Sequence, residues 1–217
     1  FQPGNHPVDE QEITDVVDWV SQKARPYALT DLGNAERFID LNGRRVRYCY
    51  ELDTWFLWDG RHWADHSSAE LMQMAHATIR SIYIEAGNIS DGEARRALIK
   101  HATASEAHSR VENMLLSAKP YLAVRVDELD QHPLLLNVAN GIINLRSGIL
   151  MPHEPKFLIT QIIDVDYDPF AKCPEWEQFV HLITLGDADV ELFLQSALGY
   201  SLTGLIDEHC LFFLYGT

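Results

Sequence analysis

The stretch Trp55-Phe56-Leu57-Trp58-Asp59-Gly60-Arg61-His62-Trp63 constrains this chain more than any other. Asp-Gly between two aromatic, β-prone runs predicts a hairpin, because both central residues of a primed turn must accept positive φ. With Arg45 to Tyr50 ahead of it, the segment predicts a three-stranded meander over residues 45–64, and an all-helical fold is excluded. The pattern then changes period. Leu71, Met74, Ala75, Thr78, Ile79 and Ile82 recur at helical spacing, as do Ala94, Ala97 and Leu98, and then Ala107, Val111, Met114, Leu115 and Ala118. Each set places one apolar stripe on a helix. Capping boxes Ser67-x-x-Glu70 and Ser90-x-x-Glu93 mark the first two starts, since the Ser hydroxyl and the Glu carboxylate satisfy opposite orphan amides of a first turn. Gly87 stops the first helix and Pro120 follows the third, giving a helical layer over 67–119. Strands and helices in blocks, rather than in strict alternation, predict an α+β fold.

Hairpins return over 134–168: Leu134 to Ala139, a turn at Asn140-Gly141, Ile142 to Leu145, a turn at Ser147-Gly148, and a further strand over Leu158 to Tyr167 before Pro169. Two helices follow over 174–203. Pro174 opens one bearing Trp176, Phe179, Val180 and Ile183, and Asp187 caps another bearing Val190, Phe193, Leu194, Ala197 and Leu198, ended near Gly204. Near the other terminus, Pro3, Gly4 and Pro7 read as a tail, and Ile13, Val16, Val17 and Val20 predict a helix that Pro26 ends. A helix over Leu32 to Leu41 is closed by Asn42-Gly43. The expected organisation is a linker and helix from an upstream region over 1–29, a domain over 30–204, and the start of another domain over 205–217. There the apolar run Leu211 to Tyr215 reads as a strand buried on both faces.

Composition narrows the class. The 217 residues hold 32 acidic against 17 basic side chains, a formal charge of −15, with 47% hydrophobic content, which excludes wholesale disorder. No stretch approaches the ~18 apolar residues of a membrane span, and no basic-then-apolar leader opens the sequence. Cys49, Cys173 and Cys210 are odd in number and form no Cys-x-x-Cys pair, the usage of a reducing compartment, so a cytoplasmic location is expected. Acidity disfavours broad nucleic-acid binding, which draws affinity from cations displacing phosphate counterions. The charge is uneven, however: residues 37–119 hold 11 basic and 11 acidic side chains, whereas 130–217 hold three against 12.

Two clusters are candidate DNA contacts. Arg44, Arg45, Arg47 and Arg61 stand among Tyr48, Tyr50, Trp55, Trp58 and Trp63, combining cations with the π faces on which single-stranded bases stack. Strand alternation puts Arg45 and Arg47 on one face, with Val46, Tyr48 and Tyr50 on the other and most aromatics in the core. Arg95, Arg96, Lys100 and Arg110 belong to the helical layer. Candidate metal sites are weaker. Asp164, Asp166, Asp168 and Glu175 imitate a calcium loop, yet Pro169 stands where the loop needs Gly; the same acids offer an Asp-x-Asp pair for Mg²⁺, against the plainer reading of an acid-edged strand. His62 and His66 suit zinc only on a helix. Gly216-Thr217 after an apolar strand is the way a phosphate-binding loop begins.

Several motifs resemble one family in order: Thr30-Asp31-Leu32-Gly33-Asn34-Ala35-Glu36-Arg37-Phe38, Arg47-Tyr48-Cys49, the Trp55 to Trp63 stretch, Asn137-Val138-Ala139-Asn140-Gly141-Ile142-Ile143-Asn144-Leu145, Pro152-His153-Glu154-Pro155, Asp166-Tyr167-Asp168-Pro169, Cys173-Pro174-Glu175-Trp176 and Leu198 to Gly204. Together they resemble the domain that precedes the helicase in phage and plasmid primase-helicases and in the related poxvirus primase-helicase. The resemblance implies an accessory domain that couples a primase to an NTP-driven superfamily three helicase and aids DNA binding or ring assembly. It makes Gly216 and Thr217 the first residues of the helicase's nucleotide loop, and it implies ATP and Mg²⁺ for the parent protein with no cofactor in these residues. Its implied partners are single-stranded or forked DNA and further copies in a ring, with no membrane. Two other readings are an assembly module that makes only protein contacts and a metal-dependent nuclease built on the acids of 164–168.

Overall fold

The computed structural model describes residues 27–65, 68–208 and 212–213. It is α+β, with six α-helices and two small sheets among the described residues. The predicted helix around Ile13 to Val20 and the capping residue Ser67 lie outside the described residues. The described residues divide into two compact units, one drawn from positions up to 41 and from 72–121, the other from 42–71 and from 122 onward.

The first unit is helical. Helix α1 (Asp31–Asn42) begins where the Thr30 hydroxyl accepts the Gly33 amide at 3.1 Å. Glycine is required at 33 because a Cβ there would stand 2.0 Å from the Ala28 carbonyl oxygen. Helix α2 (Ser68–Gly87) buries Ala75, Thr78, Ile79, Ile82 and Ala86, close to the expected stripe. Each fully buried isoleucine contributes roughly 1.5–3 kcal/mol by leaving water. Helix α3 (Gly92–Ser105) corrects the expected start: its N-cap is Asp91, one residue after Ser90, and the Asp91 carboxylate accepts the amides of Glu93 and Ala94. An ionised carboxylate at the positive end of the helix dipole makes the stronger cap. The stripe is corrected as well. Ala94 and Ala97 are exposed, and α3 buries Leu98, His101, Ala102 and Ser105, a polar-containing set that an apolar count overlooks. Helix α4 (His108–Ala118) buries Val111, Met114, Leu115 and Ala118 as expected, while Ala107 is its exposed N-cap.

The second unit carries both sheets. Strands β1 (Val46–Cys49), β2 (Thr54–Trp58) and β3 (Trp63–Asp65) form the expected meander, with Val46 opposite Leu57 and Trp58 opposite Trp63. That last pairing leaves four residues in the connection, not the two of an Asp-Gly primed turn. The Asp59 carboxylate accepts the amides of Arg61 and His62 at 2.7 and 2.8 Å, so a side chain organises the loop and only Gly60 takes positive φ. A fourth strand, β4 (Ala123–Val124), joins β1 in parallel. Two residues carry no periodicity, and the pairing follows from long-range contact alone.

The second sheet is β5 (Leu135–Val138), β6 (Gly141–Asn144) and β7 (Ile149–Met151), in that order. Val138 pairs with Gly141, so the turn is Ala139-Asn140 and the expected Asn140-Gly141 turn is shifted by one residue. Gly141 belongs to the strand because a Cβ there would lie 2.5 Å from the Met151 carbonyl oxygen. Asn140 instead uses its side chain, exchanging hydrogen bonds with the Tyr167 backbone at 2.9 and 3.0 Å. The expected strand over Leu158 to Tyr167 is irregular apart from one parallel bridge, Val138 to Ile163. Asp130 clasps the Thr160 amide and hydroxyl, and Asn137 takes the Gln161 carbonyl, so side chains satisfy groups that a ladder would have used. Helices α5 (Pro174–Ile183) and α6 (Ala188–Ser201) match expectation in extent, with Asp187 capping α6 through the amides of Asp189 and Val190. Neither helix buries a residue. No described helix is long and apolar enough to cross a membrane.

Candidate nucleic-acid interface

The eight candidate cations fall into both units and differ in what they already touch. Arg47 is on the strand face shared with Cys49, Phe56 and Trp63, which is the interior of the second unit and not an open surface. Its guanidinium donates to the Gly43 carbonyl and, at 2.8 Å, to the Val46 carbonyl, and stands 5.1 Å from the centre of the Trp63 ring. Burial pulls its pKa below the ordinary arginine value. Arg45 faces Glu70 at 4.0 Å and Arg61 faces Asp164 at 3.8 Å, both at the surface. Arg110 lies 3.9 Å from Asp31, whose other carboxylate oxygen accepts from Asn113. Arg44 is exposed.

Arg95, Arg96 and Lys100 are all exposed on α3. At 3.6 residues per turn Arg96 and Lys100, four residues apart, lie opposite the buried stripe of Leu98, His101, Ala102 and Ser105, while Arg95, seven residues before Ala102, lies at the edge of the stripe in the exposed first turn. Among the described residues no acidic side chain pairs with any of the three. Residues 72–121 hold six basic against five acidic side chains, whereas 122–217 hold four against 14. The α3 face therefore presents uncommitted positive charge in the less acidic part of the chain.

The aromatics of the β meander are mostly committed. Tyr48, Phe56 and Trp63 are buried; Tyr50 is exposed and stacks edge-on against Tyr48, and Trp58 is half-buried beside Trp63. Among the described residues no three His, Cys, Asp or Glu side chains converge as metal ligands, and Asp164 points toward Arg61. His62 sits 3.0 Å from Asp59, and His66 lies outside the described residues. Burial raises the Asp59 carboxyl's pKa, but the amides of His62 and Arg61 outweigh it and hold the group below its usual range. Gly216 and Thr217 also lie outside the described residues, and of the run Leu211 to Tyr215 only Phe212 and Phe213 are described, both exposed.

Two polar networks occupy the interiors; of their members, Asn34, Arg37, Asn137 and His153 stand in the sequence only within the quoted motifs, and Glu85, His101 and Ser105 fall in none. In the first unit Arg37 holds Glu85 with both arms of its guanidinium, at 3.0 and 3.3 Å, and reaches the Gly33 carbonyl and the Asn34 side-chain oxygen. Asn34 in turn donates to Ser105 at 3.0 Å, and its oxygen meets His101 Nε2 at 2.9 Å. Since Asn34 Oδ1 can only accept, His101 carries a proton on Nε2. Burial lowers the His101 pKa first, and the Arg37 and Arg110 charges lower it further. Tyr27 covers Arg37 at 4.5 Å and donates to Asp40; burial, then that hydrogen bond, pushes its phenol up to about 12.

In the second unit Asn137 donates to the carbonyls of Arg61 and Gln161 at 3.1 and 3.0 Å and accepts from His153 Nδ1 at 3.0 Å, while the Trp63 indole donates to the Pro155 carbonyl at 2.8 Å. For the first network the available signal was Asn34 three residues before Arg37 on one helix, because polar groups drawn against a core must find partners; Asn137, on β5, offered no such spacing.

The family model described as D5 N terminal like matches residues 35–185, more than two thirds of the chain. No curated protein matches it. The matched span contains Arg37, Asn137 and His153, and it stops at the end of the α5 region.

Proposed function

The chain belongs to the D5 N-terminal-like family, the N-terminal domain of primase-helicase proteins, and on that premise we propose that it is the accessory domain of a replicative primase-helicase, coupling primase to an NTP-driven DNA helicase and holding nucleic-acid backbone on the outer face of α3. The observation that carries the reading is the set of Arg95, Arg96 and Lys100, all exposed and without an acidic partner among the described residues. Cations of this kind bind phosphate by releasing counterions, with affinity that falls steeply with salt. Three of the meander cations contribute less, because Arg47 is tied to carbonyls and Arg45 and Arg61 face carboxylates, which leaves Arg44 as the exposed cation of that cluster. ATP and Mg²⁺ would serve the helicase of the parent protein, and copies would meet in its ring.

Fluorescence anisotropy with labelled single-stranded, forked and duplex DNA over a salt series tests the assignment. Replacing Arg95, Arg96 and Lys100 together by Ala should weaken binding at least tenfold at low salt and lower the slope of log K against log salt by about 2–3. Unchanged affinity and slope in that variant would remove the α3 assignment.

A further inference from the structure

Within the helical unit, α2 and α3 meet at a polar point. The Tyr83 hydroxyl donates at 2.9 Å to Glu106, the residue that ends α3, and lies 3.2 Å from the Thr103 hydroxyl. A row of side chains leads away from that point along each helix. On α3, Arg96, Lys100 and Thr103 stand at i, i+4 and i+7, the spacing that keeps side chains on one side of a helix. On α2, His76, Arg80 and Tyr83 repeat the same spacing. Each row covers about 10 Å at 1.5 Å per residue, and the two touch through Thr103 and Tyr83. Arg96 and Lys100 are exposed on one row, His76 and Arg80 on the other.

Arg80 falls in no motif, and a single arginine on an amphipathic helix reads from sequence as part of a solvated face. The structure gives it a setting. Among the described residues no acidic side chain pairs with it. With His76, Ile79 and Glu106 it lines an open cavity of about 230 Å³, which leaves room for a phosphate group beside the guanidinium. An arginine free of carboxylates keeps its whole donor fork, and that fork matches the oxygens of a phosphate. Taking α3 as the face that holds nucleic-acid backbone, we propose that Arg80 binds a further backbone phosphate, so that the track runs from Arg96 and Lys100 across the contact of Thr103 with Tyr83 onto α2. Glu106 opposes it. Its carboxylate accepts from Tyr83 but keeps its charge, and as part of the cavity lining it weakens the hold on a phosphate there.

The probe is a labelled DNA oligonucleotide of mixed sequence, single-stranded and duplex, titrated with the full chain by anisotropy over a salt series. Arg80→Ala should weaken binding about three- to tenfold at low salt and lower the slope of log K against log salt by about 0.7–0.9, the share of one phosphate. Circular dichroism should not change, since the exposed guanidinium has no acidic partner to lose. Arg80→Lys should restore the slope but only part of the affinity, because it keeps the charge and loses the fork. Glu106→Gln, which still accepts from Tyr83, should strengthen binding about two- to threefold. Arg125→Ala, whose guanidinium Asp127 already holds at 2.9 Å, should change neither affinity nor slope. Full affinity and slope in Arg80→Ala, with the Arg95, Arg96 and Lys100 variant weakened, would overturn the track and leave the α3 assignment standing. No loss in either variant would remove both. An equal loss in Arg125→Ala would reduce the effect to net charge, and displacement of the DNA by inorganic triphosphate at matched ionic strength would make a free polyphosphate the ligand; either result also overturns the proposal.

Discussion

Arg37→Ala should be the most damaging single change in the helical unit. The Arg37 side chain is 3% exposed and its partner Glu85 36% exposed, and the two are joined by a two-armed ion pair at 3.0 and 3.3 Å. Removing one member of a buried pair costs about 3–5 kcal/mol, because the other charge is left uncompensated. Glu85 keeps about a third of its exposure, so water recovers part of that loss and the lower end, about 3 kcal/mol, is expected. The contacts from Arg37 to Ala28, Gly33 and Asn34 are 3.4 to 3.5 Å long and add little. In a chain of this size 1 kcal/mol moves the melting temperature by roughly 2–4 °C, which gives a drop of about 6–12 °C. Urea unfolding followed by far-ultraviolet circular dichroism reads the helices directly. Arg37→Lys keeps the charge but loses the fork and should fall between, at about 1–2 kcal/mol. A cost below about 1 kcal/mol for Arg37→Ala would refute the claim that this motif arginine holds the unit together.

His101 is disfavoured in its charged form by burial and by Arg37 and Arg110, so its folded pKa lies below the unfolded value near 6.5. Its contribution is therefore fully present above about pH 6.5 and is lost as pH falls through the depressed value; denaturant midpoints at pH 7.5 and 5.5 should differ more in the parent than in His101→Gln. Gly141→Ala should cost at least about 2 kcal/mol, since the added methyl meets the Met151 carbonyl at 2.5 Å, whereas Gly148→Asn, with open space and φ of +70°, should be nearly neutral by thermal melting. Asn137→Ala should cost about 1–3 kcal/mol by removing the donor to the part-buried carbonyls of Arg61 and Gln161 and the acceptor of His153 Nδ1, whose Nε2 keeps its contact to the Ala139 carbonyl; tryptophan fluorescence, reporting on Trp63 beside them, is the measurement. Arg47→Ala should lower stability by about 1–2 kcal/mol through the lost carbonyl bonds and ring contact, detectable as a shifted denaturant midpoint in the absence of any DNA.

The class and order of elements follow from local patterns in the chain. Period-3.6 stripes in Leu71 to Ile82 and Val111 to Ala118, aromatic alternation over Thr54 to Trp63, and Pro174 and Asp187 as helix openers are local signals, and local signals survive without knowledge of distant residues. Where two local candidates competed, the outcome depended on geometry that the string of letters does not carry. Asp91 displaced Ser90 as a cap, and the Asn140-Gly141 turn moved by one residue because β7 approaches Gly141 too closely for a side chain. Tertiary structure alone decided the rest. The parallel pairing of β4 with β1 joins residues some 75 positions apart, too short a strand to declare itself. Whether a cation is a surface charge or an interior donor depends on which strand face the core takes, and that turned Arg47 inward while α3 left Arg95, Arg96 and Lys100 outward. Arg37, Asn34, His101 and Ser105 lie as far as 71 residues apart along the chain yet share one buried network. Only the folded chain brings their donors and acceptors together, because a polar group excluded from water must find its partner in whatever element packs against it.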